Sequence, residues 1–84
     1  MAYELTGHAR QSLQKRPTIR LEWVERVLNQ PERVEEDRID PELEHRLCRI
    51  PEYDGRVLRV IVKRSTTPLR IITLYFDRKM RRHL

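Results

Sequence analysis

Val57-Leu58-Arg59-Val60-Ile61-Val62 and Leu69-Arg70-Ile71-Ile72-Thr73-Leu74-Tyr75-Phe76, separated by a Ser65-Thr66-Thr67-Pro68 break, are the stretch that decides the fold. Runs rich in branched apolar residues and bounded by turn formers read as strands, so Arg56 to Phe76 forms a central antiparallel hairpin. Leu58, Val60 and Val62 alternate along the first strand and Ile72, Leu74 and Phe76 along the second, giving each one apolar face. The two faces coincide only if paired residue numbers add to an even number. A loop of Thr66, Thr67 and Pro68 has that parity and pairs Val62 with Ile72, Val60 with Leu74 and Leu58 with Phe76. Arg59 then stands beside Tyr75, and Ile61 beside Thr73, on the opposite face.

Working outward, His45 to Glu52 reads as the preceding strand, closed by a Tyr53-Asp54-Gly55 turn in which Gly55 can take a positive φ. That turn sets Ile50 against Leu58, Cys48 against Val60 and Arg49 beside Arg59. Arg49, Arg59 and Tyr75 then form one row across the sheet, on the face turned from the helices. Like charges placed side by side repel, so either the guanidiniums splay into water or they seat a phosphate, with Tyr75 free to stack on a base. Arg33 to Glu36 is a short edge strand, and Tyr3 and Leu5 suit another before Thr6. Thr6 caps a first helix that stops before Pro17. A second helix starts at Arg20 or Leu21, ends at Asn29 or Gln30, and buries Leu21, Val24, Val27 and Leu28. The expected fold is α+β, with two N-terminal helices packed on one face of a three- to four-stranded antiparallel sheet. Residues 1–84 make a single domain with a basic tail from about Arg78.

Of the 84 residues, 38% are hydrophobic and 37% charged, enough apolar material for one small core beneath a heavily charged surface. The net charge of +5 is unevenly spread: residues 22–54 carry −6, residues 1–21 carry +3 and residues 55–84 carry +8. Basic ends favour a polyanionic partner, nucleic acid first, because clustered Lys and Arg release counterions from phosphates; a solvated surface with a basic tail is the other reading. The absence of a signal-like apolar start or a spanning run leads to the expectation of a soluble, cytoplasmic protein with no membrane partner.

The single Cys48 allows no internal disulfide and lies on the expected core face, where a thiol is inert. His8, His45 and His83 lack metal-ligand spacing, and isolated Gly7 and Gly55 make no phosphate-cradling loop, so no metal and no cofactor is expected. Acid–base chemistry assisted by Arg is what remains. RNA cleavage through its own 2′-hydroxyl needs a base, an acid and positive charge on the phosphate, roles open to His8, Arg16, Arg49 and Arg59. His8 can equally pack on the sheet, and Arg16 can satisfy helix-end carbonyls or pair with Glu52. Arg78, Lys79, Arg81 and Arg82 either extend a phosphate-contacting surface or form a mobile tail.

Thr6-Gly7-His8-Ala9-Arg10, followed by Leu13 and Arg16, then Val24, Val27, Leu28 and Pro31, then Leu58 to Val62 and Ile72-Thr73-Leu74-Tyr75, resembles a family of small bacterial domains of unknown function. That family is similar in turn to the RelE, ParE and BrnT toxins of bacterial toxin–antitoxin pairs. The resemblance implies a RelE/BrnT-like fold and a toxin-like ribonuclease acting on RNA or at the ribosome, restrained by an antitoxin protein. It points to His8, Arg16, Arg59 and Tyr75 as the catalytic set, with His83 a second C-terminal candidate. The alternative is a non-catalytic RNA- or protein-binding module of the same fold, using the sheet face or the acidic edge at Glu35-Glu36-Asp37.

Overall fold

The computed structural model describes residues 3–84. In chain order these form β1 (Tyr3–Leu5), α1 (Gly7–Lys15), α2 (Leu21–Asn29), β2 (Arg33–Glu36), β3 (Leu43–Ile50), β4 (Arg56–Lys63) and β5 (Leu69–Phe76), with short 3-10 turns at Pro51–Tyr53 and Arg78–Met80. The sheet order is β1-β5-β4-β3-β2. β1 lies parallel to β5, and every other neighbour is antiparallel. The class is therefore α+β with two helices, but the sheet has five strands and is mixed, not three to four and antiparallel. The extra edge comes from Tyr3–Leu5, which runs alongside Leu69–Ile71 because α1 follows it without room for a hairpin.

Both helices pack on one side of the sheet. Ala9, Ile19, Trp23, Val24, Val27 and Leu28 share a core with Cys48, Ile50, Leu58, Val60, Val62, Ile71 and Leu74. Thr6 is the N-cap expected of it: its Oγ1 accepts the Ala9 N–H at 3.2 Å and bonds the Ile71 and Ile72 carbonyls at 2.9 and 3.1 Å, joining α1 to β5. The second helix starts at Leu21 with no side-chain cap from Arg20. Ile19 and Val24, the positions that form a hydrophobic staple, are both buried and hold the helix entry instead. Leu21, expected in the buried stripe, is 49% exposed, and Trp23 is buried in its stead, 6% exposed and stacked on Tyr53.

The expected β4–β5 pairs Leu58–Phe76, Arg59–Tyr75, Val60–Leu74 and Ile61–Thr73 are present. A β-bulge then sets Val62 opposite Ile71 instead of Ile72, and the reversal spans Arg64 to Pro68, with Thr66 Oγ1 accepting the Arg70 N–H. The bulge lets Ile71 and Leu74, an odd number of positions apart, both sit fully buried. Between β3 and β4 the register differs by two residues from the expected one: Cys48 faces Leu58, Leu47 faces Arg59, and Arg49 faces Val57. The reversal uses five residues, the 3-10 turn plus Asp54 and Gly55 at φ 58° and 67°, where three were expected. Five and three are both odd, so the faces are preserved. Arg49 and Arg59 share the outer face as diagonal neighbours, not side by side.

Candidate nucleic-acid interface

α1 runs beside the edge of β5, where the Ser12 hydroxyl donates to the His8 carbonyl at 3.1 Å and shares a hydrogen bond with Thr73 Oγ1 at 3.3 Å. This leaves a cleft of about 260 Å³ whose walls include His8, Lys15, Arg16 and Tyr75. His8 is exposed and does not pack into the core. Lys15 and Arg16 also border a second cleft of about 540 Å³, with Tyr53, Arg56, Phe76 and Arg78. Arg56, Phe76 and Arg78 in turn border a third, about 360 Å³, that reaches Arg81. Lys15 and Arg16 are common to the first two and Arg56, Phe76 and Arg78 to the last two, so the three outline a groove from the start of α1 to the C-terminal 3-10 turn, with the Arg59-bound Asp77 also on its wall.

Charge in this groove is unbalanced. Arg20, Arg26, Arg33, Arg46, Arg59, Lys63, Arg64, Arg70 and Arg81 each have a carboxylate within 4.0 Å. Among the described residues Lys15, Arg16, Arg56 and Arg78 have none. Glu52, which Arg16 had the option of pairing with, is taken by Arg26 at 2.9 Å, and that contact lowers the Glu52 pKa to about 2. Unpaired cations beside three aromatic rings are side-chain types able to contact phosphates and to stack on bases.

On the outer face of the sheet the chemistry is closed. Arg59 is 8% exposed. Its Nε and Nη2 donate to Asp77 Oδ2 at 2.9 and 2.8 Å, and its Nη1 to Glu35 Oε1 at 3.0 Å and His45 Nδ1 at 2.7 Å. A guanidinium only donates, so Nδ1 accepts and Nε2 carries the proton directed at Asp37 Oδ1, 2.7 Å away. Burial disfavours the Arg59 charge, yet the bonds to Glu35 and Asp77 outweigh it and its pKa is raised. For Glu35 burial likewise acts against the charge, but Arg59 prevails and the pKa is lowered. Asp37 is held at about 2, first by the Asp40 N–H and then by His45 and the Ile39 N–H.

The residues singled out from the sequence thus separate. His8, Arg16 and Tyr75 line one cleft; Arg59 is opposite Tyr75 in the sheet but its donors are engaged by carboxylates. Arg49 Nη2 donates to the carbonyls of Arg81 and Leu84, each at 3.0 Å, and Arg81 pairs with Asp54, so these two fasten the C-terminal segment back onto the domain. Arg78 lines the groove, while Lys79, Arg82 and His83 are exposed outside these clefts. Cys48 is buried, and burial followed by its contact with Glu32 raises the thiol to about 11. Lys15, Arg56, Tyr53 and Trp23 were not singled out by sequence. Arg56 had a legible signal: it shares parity with Leu58, Val60 and Val62 and so belongs to the helix side, at the open end of the sheet.

Residues 5–76 match the family described as Domain of unknown function (DUF4258). The chain belongs to that family. The matched span of this DUF4258 domain takes in α1, α2 and the whole β2–β5 sheet, with His8, Arg16, Arg56 and Tyr75 inside it and Arg78 beyond it. No curated protein and no solved structure matches the chain. Among the described residues no helix is long and apolar enough to cross a membrane.

Proposed function

We propose that this DUF4258 domain is a toxin-like ribonuclease that draws RNA along the groove and cuts it at His8 without a metal. The observation that carries the reading is the meeting of His8, Arg16 and Tyr75 on one cleft that opens into a row of cations with no carboxylate partner. In the reaction, His8 takes the proton from a ribose 2′-hydroxyl as that oxygen bonds to the adjacent phosphorus. The bond from phosphorus to the 5′-oxygen breaks, and the leaving oxygen receives a proton from the Tyr75 hydroxyl. A 2′,3′-cyclic phosphate and a 5′-hydroxyl result, with Lys15 and Arg16 offsetting the charge that develops on the phosphoryl oxygens. Arg59 acts at one remove: it holds Asp77, whose other carboxylate oxygen accepts the Lys79 N–H and caps the turn that carries Arg78. The resemblance to RelE, ParE and BrnT toxins adds the ribosome as a place of action and a small antitoxin as the restraining partner.

The test is incubation with RNA, with and without ribosomes, in a chelator. Expected is cleavage leaving cyclic phosphate ends, reduced on the order of 10²–10⁴-fold in His8→Ala. Absence of cleavage under both conditions, with equal growth of cells expressing wild type and His8→Ala, contradicts the enzyme. One observation favours a second reading, a groove that binds RNA without cutting it: no side chain among the described residues hydrogen-bonds the His8 ring, whereas a catalytic base is usually oriented by a third group. That reading predicts protection of bound RNA with no new ends.

A further inference from the structure

Tyr53 and Arg56, at the middle of the groove, are backed by Trp23, which lies outside its three clefts. Trp23, 6% exposed, lies 5.8 Å from the Tyr53 ring at an interplanar angle of 27°, and the Arg56 guanidinium carbon is 4.8 Å from the Tyr53 centroid. Phe76 meets Tyr53 at 5.0 Å and closes the other flank. Tyr53 is therefore fixed before any ligand arrives, and little conformational freedom remains to be lost on binding. Arg56 and Tyr53 both border the cleft of about 540 Å³, where Lys15, Arg16 and Arg78 supply charge. That volume falls within the roughly 300–1,000 Å³ typical of small-ligand clefts. A row of phosphates alone needs only the cations. A planar guanidinium laid on a clamped aromatic ring offers in addition a flat, polarisable surface of the kind on which unpaired bases stack.

We infer that this cleft is a nucleobase seat, so the substrate class of the groove is single-stranded RNA, one base stacking on the Arg56–Tyr53 pair while its flanking phosphates meet Lys15, Arg16 and Arg78. The inference rests on the proposed RNA groove but not on cleavage. A duplex keeps its bases stacked inside and cannot fill the seat. A strand of abasic sugar-phosphate units carries the same charge and has nothing to stack.

The experiment titrates the full chain, as wild type and as Arg56→Lys, into fluorescently end-labelled 2′-O-methyl RNA, which cannot be cut through its 2′-oxygen, in three forms: intact single strand, the same strand with abasic positions, and duplex. Stacking of one base corresponds to about five- to tenfold in affinity or more. The intact strand should exceed both the abasic strand and the duplex by at least about that factor, and Arg56→Lys, which keeps the charge and loses the plane, should erase the preference without changing duplex affinity. Tyr53 packs against the core, so Arg56→Lys is the decisive variant and its thermal midpoint is the control for folding. Equal affinity for intact and abasic strands, or an unchanged preference in Arg56→Lys, overturns the seat while leaving the groove and the ribonuclease standing. Failure of the wild-type chain to bind any of the three forms overturns the groove itself.

Discussion

Arg16, Arg56 and Arg78 line the groove without carboxylate partners, whereas Arg59, on the sheet face turned from the helices, is held by Glu35, Asp77 and His45. The same side chain is thus present in two states, and the difference comes from what the chain brings alongside. Edge strand β2 and the residue just after β5 deliver carboxylates to Arg59; at the open end of the sheet, where α1 meets the Pro17–Arg20 connection, the nearby Glu22 and Glu52 are taken by Arg20 and Arg26, which leaves Arg16 and Arg56 unpaired. Basic charge becomes available to a polyanion only where folding leaves it unpaired.

That contrast is broken most forcefully at Arg59. Arg59→Ala leaves part-buried Asp77 without a cation and Glu35 with Arg33 alone, and should lower stability by about 3 kcal/mol. Arg16→Ala should stay within about 0.5 kcal/mol of wild type. Urea denaturation of the two variants measures this directly, and similar losses would erase the distinction between the regions.

Next in size is the salt dependence of RNA binding. Four groove cations on a single strand predict a slope of log K against log salt of about −3, from roughly 0.7 per phosphate contact. Arg78→Ala should reduce that slope by about one contact, while Lys79→Ala and Arg82→Ala, outside the clefts, should change it less. A slope equally sensitive to all three residues would mean that the tail binds by charge alone.

Much of this fold was legible because strands declare themselves by alternation. The β4–β5 pairing through Ile61–Thr73 follows from it, and so do the caps and ends of α1. The two-residue slip between β3 and β4 was not legible, because reversals of three and five residues satisfy the same parity and the 3-10 turn from Pro51 to Tyr53 gives no hydrophobic signal. Leu21 and Trp23 exchange roles because an aromatic partner, Tyr53, waits 30 positions along the chain. Of the candidate site, His8, Arg16 and Tyr75 were named from the family resemblance, and all three line one cleft. The state of Arg59 was beyond reach, since its carboxylates lie 24 and 18 residues away in sequence.

A smaller effect concerns acid. Asp37 and Glu52 each have a folded pKa near 2, below the ordinary carboxylate range, so each stabilises the fold above its unfolded pKa of about 4 and loses that contribution as pH falls through the folded value. Melting temperature should therefore be insensitive to these two groups from neutrality to about pH 5 and decline between about pH 4 and 2. Asp37→Asn should flatten part of that decline while leaving groove binding intact, because Asp37 belongs to the closed face. An unaltered acid profile in Asp37→Asn would remove that carboxylate from the network.

The most direct test of the contrast follows each arginine side chain by the NMR signal of its Nε–H during titration with single-stranded 2′-O-methyl RNA. The account predicts that Arg16, Arg56 and Arg78 shift while Arg59, its Nε–H directed at Asp77, stays where it was. Movement of the Arg59 signal with the three groove arginines silent would contradict it.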